Sequence, residues 1–263
     1  MNFTAVNQTT LHYLSEGNAD GLPLVFINSL GTDLRIWDGL SPHFTDRHRV
    51  IRYDKRGHGL SDCPPAPYSI RDHATDLAGL LEQLAVRRAV LVGISVGGMI
   101  ALDFAATWPE RVQALVLSDT GARIGTAVMW NERITTLRQH GMAALSQAIL
   151  ARWFAPTFAT DNPAAYRGYA NMLTRMPVTG YTATCEAIRD ADLTDAARTI
   201  TAPALVLCGV EDLATPPDLV RGLCDHIPHA IYREIPHAAH LPCVEQPGVM
   251  AAHITQFLGS ARF

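Results

Sequence analysis

Positive charge is the first thing this chain has little of. Lysine is scarce, no cluster of Lys or Arg stands out, and 21 basic against 25 acidic residues leave a formal net charge of −4. A nucleic-acid binder needs a basic stripe to displace counterions, so nucleic acid is not an expected partner. The overall field does not gather anions either, and an acidic ligand would have to be held by a local Arg. Long hydrophobic runs are missing too. The most apolar window, residues 89–102, is closed off by Arg88 and Asp103 and falls short of the ~20 residues that a bilayer span needs. No basic stretch followed by an apolar one opens the chain, so neither a secretory leader nor a membrane partner is expected. The five cysteines, Cys63, Cys185, Cys208, Cys224 and Cys243, are odd in number and include no Cys-x-x-Cys. That usage reads as reduced, mostly buried thiols in a cytoplasmic protein, with no disulfide and no metal role. Repeats and low-complexity tracts are absent, which leaves no long stretch to disorder.

What is present is a core: 48% of the residues are hydrophobic and 17% charged, the balance of a globular protein. Short runs rich in Val, Ile and Leu recur at residues 22–28, 49–54, 89–93, 112–117, 204–209 and 230–235. The first four do not alternate with polar residues, which marks strands buried on both faces. Helical patterns lie between them. Ser69 with Asp72 resembles a capping box, and Leu77, Leu80, Leu81 and Leu84 follow at the spacing of one helix face. Strand and helix in alternation imply an α/β fold, a doubly wound, mostly parallel sheet. Residues 4–14 read as an antiparallel pair at its edge. The pattern changes over residues 126–198, where four helices are expected at 126–140, 142–151, 163–176 and 181–190, punctuated by Gly141, Pro156, Pro177 and Gly180. Residues 121–198 are therefore expected to be a helical cap, and 1–120 with 199–263 the core domain. Helices are again expected at 217–226 and 245–257. Ligands of open α/β sheets bind at the carboxyl ends of the strands, where the cap would roof them.

One motif carries chemistry directly. Gly93-Ile94-Ser95-Val96-Gly97 stands between a buried strand and an apolar helix and fits the nucleophile elbow Gly-x-Ser-x-Gly. A serine nucleophile needs a base and a group that orients the base. In this kind of fold they follow in the order acid, then histidine. Asp212, after the strand at 204–209, is the expected acid; Glu211 and Asp119 are its rivals. In Pro236-His237-Ala238-Ala239-His240 the base is His240, next to a small residue and nearer the last helix, with His237 the competitor. The oxyanion hole needs two backbone donors. The expected pair is Val96, after the nucleophile, and Leu30 on the loop 28–31, with Gly31 as its rival. The polar segment 54–61 lacks the Walker pattern of a phosphate cradle and reads as a tight turn whose charged side chains brace neighbouring loops.

The elbow, segment 54–61, Gly209-x-x-Asp212 and Ala239-His240 resemble the α/β-hydrolase superfamily over nearly the whole chain. Three less generic stretches resemble the 3-oxoadipate enol-lactonases. They are Asn28-Ser29-Leu30-Gly31-Thr32-Asp33, Leu117-Ser118-Asp119-Thr120-Gly121-Ala122-Arg123 with Trp130-Asn131-x-Arg133, and Gly180-Tyr181-x-Ala183-Thr184-Cys185-Glu186 in the cap. The resemblance implies an α/β-hydrolase fold with an inserted four-helix cap and hydrolysis of 3-oxoadipate enol-lactone to 3-oxoadipate in aromatic-compound breakdown. It implies a small lactone as the partner and no metal or organic cofactor; a homo-oligomer is left open. Such a substrate carries a carboxylate, and a buried carboxylate needs a partner. Arg123, Arg133, Arg138 and Arg189 are the candidates. Trp130 and Arg133 share a helix face, so Arg133 is expected on the carboxylate and Trp130 over the ring, against the plainer reading of a surface Arg and a Trp packed between cap helices. The triad alone does not separate a lactonase from a carboxylesterase, a perhydrolase or a carbon–carbon bond hydrolase. A ligand-sensing protein without turnover is a further alternative.

Overall fold

The computed structural model describes residues 1–260; the last three positions of the expected 199–263 segment lie outside the described residues. Eight strands form a single sheet: β1 (Asn2–Val6), β2 (Thr9–Gly17), β3 (Pro23–Ile27), β4 (Arg49–Tyr53), β5 (Ala89–Ile94), β6 (Val112–Ser118), β7 (Ala204–Gly209) and β8 (Ile231–Ile235). Their spatial order is β1-β2-β4-β3-β5-β6-β7-β8. β1 and β2 pair antiparallel, as does β2 with β4, and every later pair is parallel. β5 and β7 are buried at every residue, which is why their apolar runs do not alternate.

Helix α1 (Ile70–Gln83) opens on the expected capping box, with Ser69 and Asp72 each bonding the other's backbone. α2 (Val96–Thr107) is apolar nearly all round and buries ten of its twelve residues, as a helix wedged between the sheet and other helices must. Between β6 and β7 the chain is helical throughout: α3 (Ala127–His140), α4 (Ala143–Trp153), α5 (Phe158–Asp161), α6 (Pro163–Thr174), α7 (Val178–Asp190) and α8 (Thr194–Arg198). The four long helices are those expected, and the short α5 and α8 are additional. Gly180 does not break α7 but lies inside it. A Cβ there would stand 2.3 Å from the carbonyl oxygen of Gly57, so this glycine exists for close approach to the 54–61 turn. After β7 come α9 (Pro217–Arg221) and, after β8, α10 (Pro242–Glu245) and α11 (Pro247–Ser260). The helix expected at 245–257 is α11, which begins at Pro247 because proline cannot extend a helix begun before it, and the short α10 ahead of it is additional. Among the described residues no helix is long and apolar enough to cross a membrane, and the five cysteines are all free.

Candidate active site

Ser95 stands where β5 turns into α2, with φ 58° and ψ −123°. A non-glycine residue in that region stores ~1–3 kcal/mol of backbone strain, which its surroundings must hold. The Ser95 N–H donates to Ser118 O at 3.0 Å, and the Thr120 hydroxyl donates to Ser95 O at 2.6 Å. The flanking glycines follow from the same turn. A Cβ on Gly93 would lie 2.3 Å from Gly97 O, and one on Gly97 would lie 2.1 Å from Ile27 O. The Ser95 hydroxyl is left outward, at the positive end of α2, and no hydrogen bond among the described residues engages it.

Asp212 is fixed at the end of β7 by four bonds. Oδ1 accepts the Ala214 N–H at 2.7 Å and the Thr215 N–H at 3.1 Å; Oδ2 accepts the Thr215 hydroxyl at 2.6 Å and His240 Nδ1 at 2.8 Å. Burial pushes its carboxyl up, but the His240 ring and these bonds outweigh burial and hold Asp212 below its ordinary value. With Nδ1 taken, the other nitrogen of His240 is the one free to work. Ser95 and His240 line one cavity.

The rivals fall elsewhere. His237 is exposed and Glu211 half-buried, and the Glu211 N–H serves the loop by donating to Ala238 O at 3.0 Å. Asp119 is wholly buried beside Asp212: ligand atoms of Asp119, Cys208 and Asp212 lie within 4.8 Å of one another. Asp119 accepts from the Gly209 N–H and the Ser118 hydroxyl instead of from the histidine. Burial, and then the Asp212 charge, hold its carboxyl well above the usual range. All three groups of this cluster are spent on hydrogen bonds within the site, Cys208 on Gly209 O.

Leu30 lines the cavity. Neither its N–H nor that of Val96, the first residue of α2, finds an acceptor among the described residues. The Gly31 N–H is equally free, but Gly31 turns toward the cap, where a Cβ would meet Tyr181 at 2.8 Å. The loop is braced from the 54–61 turn as expected. Lys55 Nζ donates to Ser29 O at 2.6 Å, and Asp54 accepts the N–H groups of Leu34 and Leu60.

The roof separates the four candidate arginines. Arg123 pairs with Asp192, Arg138 with Glu186 and Arg189 with Asp190, and none of the three lines the cavity. Arg133 does, with its guanidinium carbon 5.0 Å from the Trp130 ring centroid. Trp130 also lines the cavity, is 4% exposed, and donates its indole N–H to Ile124 O at 2.7 Å. Sequence reasoning missed Arg152, at the end of α4, which lines the same cavity. Among the described residues neither Arg133 nor Arg152 takes part in an ion pair, so two cations face this space without acidic partners. Position on a cap helix is the only sequence signal Arg152 carries.

A strained serine and a carboxylate-held imidazole open here into one cavity above the carboxyl edge of a mostly parallel sheet. A family model described as the alpha/beta hydrolase fold matches residues 23–247, a span that takes in β3 to β8 and all three of these residues. The chain belongs to the alpha/beta hydrolase family. Within it, the chain is similar to 3-oxoadipate enol-lactonase 2 of Acinetobacter baylyi, with 37% identity over 90% of this chain and 88% of that protein. The crystal structure of the enol-lactonase from Burkholderia xenovorans superposes with a TM-score of 0.96 at 36% identity, covering 98% of this chain and 100% of that one. A thermophilic esterase from Thermogutta terrifontis, solved with malate bound, gives 0.90 at 28% identity, covering 98% and 96%.

Proposed function

We propose that this protein hydrolyses 3-oxoadipate enol-lactone to 3-oxoadipate through an acyl-enzyme on Ser95, a step of the β-ketoadipate route of aromatic catabolism. One observation carries the reading: the Asp212-held His240 and the elbow Ser95 share a cavity whose roof holds two unpaired arginines. An acidic substrate is what such a roof suits, since a guanidinium matches a carboxylate with two parallel bonds. The enol-lactonase relatives support the same substrate. Residues 121–198 act as the cap domain and 1–120 with 199–263 as the core.

Ser95 Oγ attacks the lactone carbonyl carbon and gives its proton to the free nitrogen of His240. Asp212, ionised at neutral pH because its pKa is lowered, steadies the imidazolium. The tetrahedral oxyanion rests on the N–H groups of Val96 and Leu30, at the N-terminus of α2. Collapse breaks the ring C–O bond, and the departing enolate takes the proton from His240 and becomes the ketone. Water, deprotonated by His240, then attacks the acyl carbon. Ser95 recovers its proton as 3-oxoadipate leaves. Arg133 holds the substrate carboxylate, Trp130 covers the ring, and Arg152 adds positive charge to the cavity wall.

The test is substrate preference. Loss of enol-lactone ultraviolet absorbance is followed beside a neutral lactone and a neutral ester panel. A kcat/KM for the enol-lactone far above the neutral substrates is expected; preference for a neutral ester would make the protein a carboxylesterase instead.

A further inference from the structure

Glu245, the last residue of α10, is a half-buried acid that the mechanism above leaves unused. Its two oxygens reach in different directions. Oε2 accepts the N–H of Ala239, the residue before His240, at 2.8 Å. Oε1 accepts the N–H of Ala155, just beyond cap helix α4, also at 2.8 Å. On the other side of His240, the Leu241 N–H donates directly to Trp153 O at 3.1 Å. Both backbone neighbours of the histidine are thereby tied to residues 153–155 of the cap. The same stretch of chain puts Arg152 and Trp153 into the cavity wall.

We propose that Glu245 is a positioning residue that fastens the backbone carrying His240 to cap residues 153–155, so that seating the cap over a substrate and seating the base are one event. The proposal rests on the reading of His240 as the base. A carboxylate suits this task because only the ionised form offers acceptors on both oxygens. Burial pushes Glu245 up to about 7, against the pull of the Ala239 and Ala155 N–H groups. The charges facing it, Glu211 and Asp212 on the loop after β7, push the same way. Residues 153–155 bring no charge, and Cys243 on its own turn is kept a neutral thiol by burial. The two-armed clamp is therefore complete above about pH 7 and loses an arm as Glu245 takes up a proton below it. Misplacement of a catalytic group by ~1 Å removes up to about a hundredfold in rate, so a loosened loop has a readable effect.

Glu245→Gln keeps the shape but turns an NH2 group toward one of the two N–H donors. Ala155→Pro deletes the cap-side donor alone, and does so after Phe154, whose extended backbone (φ −124°, ψ 146°) is what a following proline requires. Each variant is assayed on the enol-lactone across the pH range on both sides of 7, with melting temperature measured alongside. The expected result for Glu245→Gln is a kcat lowered roughly tenfold to a hundredfold. Its KM should stay close to wild type, and the inflection near pH 7 that Glu245 gives the wild-type profile should be gone. Ala155→Pro should move kcat in the same direction. Unchanged kcat per folded molecule, or a loss confined to melting temperature, overturns the proposal; should Glu245→Gln not fold, Ala155→Pro decides it. Ser95→Ala is run in parallel. Activity surviving in that variant sinks the triad reading, whereas a silent Glu245→Gln beside a dead Ser95→Ala sinks only the clamp.

Discussion

Replacing Asp212 by Asn should damage catalysis through the tautomer of His240, not through loss of fold. Two backbone N–H groups, those of Ala214 and Thr215, point at Oδ1. An asparagine must keep its oxygen there, because an NH2 group would face two donors. Its NH2 then occupies the place of Oδ2, against His240 Nδ1 2.8 Å away. That nitrogen becomes the acceptor, the proton moves to the other nitrogen, and the nitrogen facing the cavity can no longer take a proton from Ser95. The same exchange in other serine triads lowers kcat by about 10⁴, which is about 5 kcal/mol of barrier. Asp119→Asn makes the contrast. Asp119 accepts from the Gly209 N–H and the Ser118 hydroxyl and makes no bond to His240, so its exchange leaves the histidine tautomer in place, and a much smaller loss than for Asp212→Asn is expected. Initial rates of enol-lactone absorbance loss, at equal concentrations of folded protein, separate the two. A crippled Asp119→Asn beside an Asp212→Asn that keeps a tenth of its activity would refute the assignment and move the acid to the end of β6.

Arg133→Ala should lower kcat/KM for the acidic lactone by ~1.5–3 kcal/mol, roughly tenfold to a hundredfold, and leave a neutral lactone nearly unchanged; equal losses on both would make Arg133 structural. Lys55 is 1% exposed, and burial pulls it down to about 7 against the opposing charges of Asp54 and Asp33. The unfolded chain regains the ordinary lysine value, so between about 7 and 10.5 it binds more protons than the folded one, and this group's contribution to stability grows with pH. The difference in melting temperature between wild type and Lys55→Met should accordingly shift in favour of wild type from pH 7 upward, and a difference independent of pH would contradict it.

The middle of the sheet was legible because strands such as β5 and β7 are buried on both faces and so stand out as unbroken apolar runs, and the elbow because its glycines are required by the approach of Gly97 to Ile27 O. Asp212 and His240 could be placed by chain order at the carboxyl edge. Residues 121–198 were legible as helices but not in their details. α5 and α8 hold too few residues to show a period, and Gly180 reads as a breaker in sequence although it is a contact point for Gly57. Arg133 and Arg152 could not be told from the other cap arginines, because what distinguishes them is that the folded chain brings them to the wall of the Ser95 cavity. Glu245 was invisible for a similar reason: its partner Ala155 lies 90 positions away in the chain.

The measurement that reaches the central claim most directly is enol-lactone turnover by wild type and Ser95→Ala at matched concentrations of folded protein. The wild type should open the lactone, and the alanine variant should retain only what binding and the oxyanion hole supply, a loss on the order of 10³-fold or more. An alanine variant that keeps a tenth of the wild-type rate would show that Ser95 is not the nucleophile.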